Sequence, residues 1–100
     1  MEITTSIDGT KAAIEVVGKL TVATSPELEE AVHQLSDTAT DFDIDLSRLE
    51  YISSAGLRVL VSTQKLAAQK GGELRLLHPT ADVMEVFEMT GLSEVLTIES

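Results

Sequence analysis

The sequence predicts one α/β domain: a mixed sheet of four to five strands with helices mainly on one face. The N-terminal residues alternate between apolar and polar side chains like a strand pair, and three later segments repeat apolar residues at helical spacing. These segments follow the order strand, helix, strand, which implies parallel neighbours joined by right-handed crossovers. The 100 residues fit a single domain, residues 1–100, and the 43% hydrophobic content supplies its core.

The N-terminal segment predicts a β-hairpin. Apolar and polar residues alternate from Ile3 to Ile7 and again from Ala12 to Val16, and Asp8-Gly9 between them is a typical hairpin turn. We expect the second strand to end at Gly18, with residues 19–22 as a further short extended piece.

The first helix is predicted to begin near Pro26. Either Ser25 caps it with Pro26 in the first helical position, or Thr24 forms a capping box with Glu27. One apolar face follows at intervals of three and four residues, made of Leu28, Ala31, Val32 and Leu35.

Residues 41–46 predict a strand with one buried face. Apolar side chains at alternate positions are separated by Asp41, Asp43 and Asp45, so helices are expected on only one face of the sheet. Three alternating carboxylates also suggest a metal site, but they lack the glycine and glutamate positions of a calcium loop. We therefore interpret the aspartates as a solvated strand face and predict no metal.

The second helix is predicted to open at Ser53 or Ser54 and to end before Gly71-Gly72, in a left-handed cap or tight turn. Its apolar stripe towards the sheet is made of Leu57, Leu60, Val61, Ala67 and Ala68. Val59 and Leu66 fall roughly opposite this stripe, where we expect them to face away from the sheet. They are either isolated exposed apolar residues or anchors for a protein partner.

The C-terminal third adds a strand, a helix and a strand. Leu74 to Leu77 is apolar apart from one arginine, and the apolar side of the third helix includes Val83, Met84 and Phe87. Gly91 is expected to end that helix, and residues 95–98 have strand character.

Composition excludes several classes of function. The chain has no cysteine, so disulfides, zinc ribbons and thiol nucleophiles are excluded. A formal charge of -10 disfavours nucleic acids and anionic lipid surfaces as partners. No apolar run is long enough for membrane insertion and no secretory signal is present, so we expect a cytoplasmic protein.

Residues 45–60 form the most informative stretch: a strand end, a short loop and a helix start with two serines at the junction. The first turn of a helix leaves backbone N–H groups without partners and carries partial positive charge. A serine there is either a simple N-cap or a group that receives a phosphate.

Catalysis at this junction is not predicted, and neither is a cofactor. Ile52 stands where a nucleophile elbow around Ser54 requires glycine, and neither His33 nor His78 has a sequence reason to meet that serine. No glycine-rich nucleotide motif is present.

The junction contains the run Asp45-Leu46-Ser47-Arg48-Leu49-Glu50-Tyr51-Ile52-Ser53-Ser54-Ala55-Gly56-Leu57. This run resembles the STAS domain, and within it the bacterial anti-sigma factor antagonists. Gly18-Lys19-Leu20 and Thr90-Gly91-Leu92 support the resemblance, which covers nearly the whole chain. It implies a STAS-type fold and a partner that is both serine kinase and anti-sigma factor. By position in the motif Ser54 matches the phosphorylated serine, with Ser53 as the less favoured acceptor.

The resemblance further implies that the unphosphorylated chain binds the kinase and that a serine phosphatase resets it. This sequence departs from the family at two positions, since Ser53 and Thr21 stand where many members have aspartate.

Ala55 and Gly56 leave space for another protein to approach, although Gly56 is also explained by close packing of helix on strand. The predicted partner-binding residues are Thr21, Ser53, Ser54, Ala55, Gly56, Arg58, Val59 and Leu66. The alternative function is a non-phosphorylated docking subunit of a transporter or lipid-trafficking complex.

Overall fold

The computed structural model describes residues 1–100 and contains six strands, three α-helices and one short 3-10 helix. The predicted α/β class is confirmed, although the sheet has six strands rather than four or five. In chain order the elements are β1 (Glu2–Asp8), β2 (Lys11–Leu20), α1 (Ser25–Leu35), β3 (Asp41–Asp45), β4 (Leu49–Ile52), α2 (Ser54–Gln69), β5 (Leu74–Leu77), α3 (Ala81–Thr90), the 3-10 helix (Leu92–Glu94) and β6 (Thr97–Glu99).

The sheet has the strand order β1-β2-β3-β5-β6, with β4 paired to the far end of β2. Strands β1 and β2 form the predicted antiparallel hairpin, and all other pairs are parallel. The predicted end of β2 at Gly18 is wrong. Gly18 adopts a φ of 109° and shifts the register, so that Lys19 and Leu20 continue the strand beside Tyr51 and Ile52 of β4.

The hydrophobic core lies between one face of the sheet and the helices. Alternate residues of β2 and β3 are buried, including Ile14, Phe42 and Ile44, and they share one cluster with Leu28 of α1 and Leu60 of α2. None of the helices combines the length and the hydropathy that a membrane span requires.

The opposite face of the sheet carries the three aspartates, which are partly exposed as the alternation predicted. Asp43 is ion-paired there: Arg75 donates to its two carboxylate oxygens at 2.8 and 2.6 Å, and the Lys11 ammonium lies 3.1 Å away. Arg75 also contacts Glu99 at 3.3 Å. The two hydrogen bonds from Arg75 to Asp43 join the neighbouring strands β3 and β5 through their side chains.

Asp43→Asn is expected to lower the free energy of unfolding at neutral pH by about 1–2 kcal/mol, because the Arg75 and Lys11 contacts lose their charge. Partial burial raises the pKa of Asp43, but the hydrogen bonds from Arg75 and Lys11 outweigh it and hold that pKa below its ordinary value of 3.8. The carboxylate therefore contributes stability above the unfolded-state pKa, and this contribution is lost as pH falls through the lower folded-state pKa.

Urea unfolding between about pH 7 and about pH 2 measures this effect. The difference in the free energy of unfolding between the wild type and Asp43→Asn should disappear at the acidic end of this range. Asp45→Asn is the matched control, since Asp45 only accepts a hydrogen bond from the Ser47 backbone, which an amide oxygen also accepts. An equal loss in both variants would contradict a specific role for the Asp43 pair.

Candidate functional site

The carboxyl ends of β2 and β4 lie side by side and bring two distant loops together. Leu20 pairs with Ile52, and the Ser53 backbone N–H donates to the Leu20 carbonyl at 2.8 Å. The residues that follow the two strands, Thr21 and Ser53, therefore start from the same edge of the sheet, and Ser54 comes directly after Ser53. The structure thus places three of the predicted site residues together: Thr21, Ser53 and Ser54.

The two serines at the junction have different positions. Ser53 has the extended backbone of an N-cap, and its hydroxyl oxygen accepts a hydrogen bond from the Gly56 N–H at 3.2 Å. Ser54 is the first residue of α2 and is exposed. Because Ser53 supplies the cap, the Ser54 hydroxyl is left at the positive end of a helix that has no acidic residue in its first turn.

The turn between β2 and α1 is held by its own hydroxyl groups. The Thr24 hydroxyl donates to the Lys19 carbonyl at 2.7 Å and accepts from the Thr21 N–H at 2.8 Å. The Ser25 hydroxyl donates to the Thr21 carbonyl at 2.6 Å. These bonds fix Thr21 beside the Ser53 loop, and they leave Val22 at the tip of the turn, 73% exposed.

Neither of the proposed side-chain caps of α1 forms. Thr24 occupies the N-cap position, but its side chain makes no cap hydrogen bond. Its hydroxyl already bonds within the turn, so the capping box with Glu27 does not form. Ser25 lies inside the helix as its first residue rather than before it.

Gly56 is a packing residue. It is buried, and a Cβ added to it would lie 2.8 Å from Ile52 Cγ1 and 3.0 Å from Leu20 Cβ. Of the two interpretations of Gly56, close helix-to-strand packing is confirmed, and a direct partner contact is not compatible with its burial. Ala55 is half-buried, whereas Arg58, one turn beyond Ser54, is exposed.

Val59 and Leu66 were expected on the side of α2 that faces away from the sheet, as exposed residues or partner anchors, and that exposure is wrong. Val59 is only 6% exposed and Leu66 is half-buried against the core. Both line the groove between α2 and α1, together with Val32. Because α2 packs against α1 as well as the sheet, its buried surface is wider than one stripe, and Val59 is not available to a partner.

The apolar stripe of α2 that was predicted to face the sheet is only partly buried. Val61 is half-buried and Ala68 is exposed, while Leu57, Leu60 and Ala67 are buried as expected. His33 lies on the rim of the groove between α1 and α2, and His78 follows β5 with a φ of 53°. Neither histidine is hydrogen-bonded to Ser54.

Comparison with known sequences matches residues 3–98 to the family described as "Mlab, STAS domain". The anti-sigma-B factor antagonist of Bacillus subtilis (strain 168) is 30% identical over 87 residues, which cover 87% of this chain and 80% of that protein.

Comparison with solved structures shows the same fold in SpoIIAA, an anti-sigma factor antagonist. Its unphosphorylated form superimposes with a TM-score of 0.86 at 17% identity, over 99% of this chain and 89% of that one. The phosphorylated form of SpoIIAA from Bacillus gives a TM-score of 0.78 at 16% identity, over 99% of this chain and 92% of that one.

Proposed function

Because the chain belongs to the STAS domain family of anti-sigma factor antagonists, we propose that it binds an anti-sigma serine kinase while Ser54 is unphosphorylated. Phosphorylation of Ser54 by that kinase ends the binding, and a serine phosphatase restores it. This cycle of binding, phosphorylation and dephosphorylation takes place in the cytoplasm. The observation that supports this proposal best is the division between Ser53, which caps α2, and Ser54, which is exposed beside it.

The position of Ser54 suits a group that is modified without unfolding the domain. A phosphate adds about -1.5 to -2 charges at neutral pH. At the start of α2 it would meet the positive end of the helix and no acidic neighbour in the first turn. The fold therefore tolerates the modification, whereas an acidic or apolar partner surface docked over Ser54 is repelled.

The solved relative supports the same cycle, since SpoIIAA is described in both an unphosphorylated and a phosphorylated form. In this chain Ser53 and Thr21, the two departures from the family pattern, both take part in the hydrogen bonds of the site. Ser53 forms the cap through its hydroxyl, and Thr21 is fixed in the adjoining turn. Both residues lie where a kinase that reaches Ser54 would contact them.

Incubation with ATP and the anti-sigma serine kinase encoded in the same genome is expected to add one phosphate to Ser54. Trypsin cuts after Arg48 and Arg58, so both serines fall in residues 49–58, and fragment masses distinguish them. Ser54→Ala should abolish the mass shift because the acceptor hydroxyl is gone. Ser53→Asn is the matched control: asparagine also caps helices well, so this variant should still gain the phosphate.

A full mass shift in Ser54→Ala would contradict the assignment of the acceptor. The alternative function, a docking subunit of a transporter or lipid-trafficking complex, predicts a different result. In that case the chain would co-purify with a transporter ATPase, and Ser54 would remain unmodified after incubation with the kinase.

A further inference from the structure

Helix α2 has a charge distribution unlike that of the other two helices. The protein has a formal charge of -10, yet the sixteen residues of α2 include no aspartate or glutamate and two cations, Arg58 and Lys65. The other two helices are acidic. Helix α1 contains three glutamates and α3 contains one aspartate and two glutamates, and neither contains lysine or arginine.

The two cations of α2 lie on the same side of the helix as Ser54. At 3.6 residues per turn, positions 54, 58 and 65 fall within about 40° of one another and span about 16 Å along the axis. All three side chains are exposed, and half-buried Val61 lies between them. Ser54, Arg58, Val61 and Lys65 together form what we name the α2 basic stripe.

We infer that the α2 basic stripe is the docking surface for the kinase that acts on Ser54, and that this partner presents acidic side chains to Arg58 and Lys65. The inference rests on the proposed function and adds the chemistry of the contact. A partner with an acidic surface is repelled by a chain of net charge -10 as a whole. It is attracted to the stripe, so charge complementarity fixes the orientation in which it approaches Ser54.

Phosphorylation then acts on the stripe itself. A phosphate on Ser54 lies one helical turn from Arg58, the spacing at which opposite charges on a helix attract. Its charge of about -1.5 to -2 nearly cancels the two cations. The modification thus removes the attraction for an acidic partner and adds repulsion at the same place.

Calorimetry with the anti-sigma serine kinase of the same genome tests the inference. Arg58→Glu and Lys65→Glu are each expected to weaken binding by about tenfold at low salt, because each reverses one complementary charge. The difference from the wild type should shrink as salt rises, since exposed charges are screened over about 10 Å at 0.1 M salt. The matched control is Lys70→Glu, which changes another exposed lysine at the C-terminal cap of α2, outside the stripe, and should stay within about twofold of the wild type.

Thermal unfolding of the three variants separates docking from folding, because all three residues are exposed and the melting temperatures should stay close to that of the wild type. Wild-type affinity in both Arg58→Glu and Lys65→Glu, with Ser54 still phosphorylated, would overturn the inference and leave the proposed function standing. Equal weakening by Lys70→Glu would overturn it too, since net charge alone would then explain the effect. A kinase that neither binds nor phosphorylates the wild type would overturn the proposed function and this inference together.

Discussion

Ser54→Glu is expected to weaken binding to the anti-sigma serine kinase by at least about a hundredfold while the fold remains intact. The substitution places a permanent negative charge at the first position of α2, where a docked kinase must approach the hydroxyl. At that position the helix dipole favours a carboxylate by about 0.3–1 kcal/mol, so the free energy of unfolding should stay level or rise slightly. Calorimetry measures the affinity, and urea unfolding measures the stability.

Ser54→Gln is the matched control, because glutamine has nearly the size of glutamate but no charge. If charge controls docking, Ser54→Gln keeps most of the affinity that Ser54→Glu loses. Equal losses in both variants would show that bulk rather than charge excludes the kinase. Wild-type affinity in Ser54→Glu would contradict the switch itself.

The sequence predicted those strands whose side chains alternate and missed the one whose side chains do not. Strand β3 alternates strictly, and its two faces were predicted correctly. In β4 the outer residues Leu49 and Ile52 are buried and the two between them are exposed, which is not the pattern of a strand. This strand pairs with β2 across a register shift, since Gly18 lies opposite Leu49 but Lys19 lies opposite Tyr51, and such a shift is a property of the folded sheet.

The site was predicted less completely than the fold, for reasons that differ between residues. The junction itself follows from local chemistry, since paired serines at a helix start have few roles. Which serine caps the helix depends on backbone geometry, and the structure assigns that role to Ser53. Val59 was misplaced because helical periodicity shows which residues share a face, whereas the number of neighbours packed around α2 is set by the tertiary fold.

Gly72→Ala is expected to lower the free energy of unfolding by at least about 3 kcal/mol, the largest stability effect predicted for this chain. A Cβ at Gly72 would clash with the Thr40 carbonyl oxygen and would lie 2.5 Å from the carbonyl carbon and 2.8 Å from Asp41 Oδ1. The obstacle is backbone at the start of β3, which cannot rotate away like a side chain.

Hydrogen bonds hold both sides of this close approach. The Gly72 N–H donates to the Ala67 carbonyl at 2.9 Å, and the Glu73 N–H donates to Asp41 Oδ1 at 2.9 Å. Any shift that relieves the clash in Gly72→Ala must stretch one of them. The variant therefore loses packing and hydrogen bonding together, which urea unfolding at neutral pH would measure.

Gly71→Ala is the matched control, since the two neighbouring glycines are required for different reasons. Gly71 has a φ of 80° with open space around its Cβ position, so alanine there meets only the left-handed backbone penalty of about 1–2 kcal/mol. Gly72 has no such φ, and its constraint is contact with β3. If Gly72→Ala lowered the free energy of unfolding no more than Gly71→Ala does, the turn could move away from β3 at little cost. Backbone conformation alone would then explain the glycine pair.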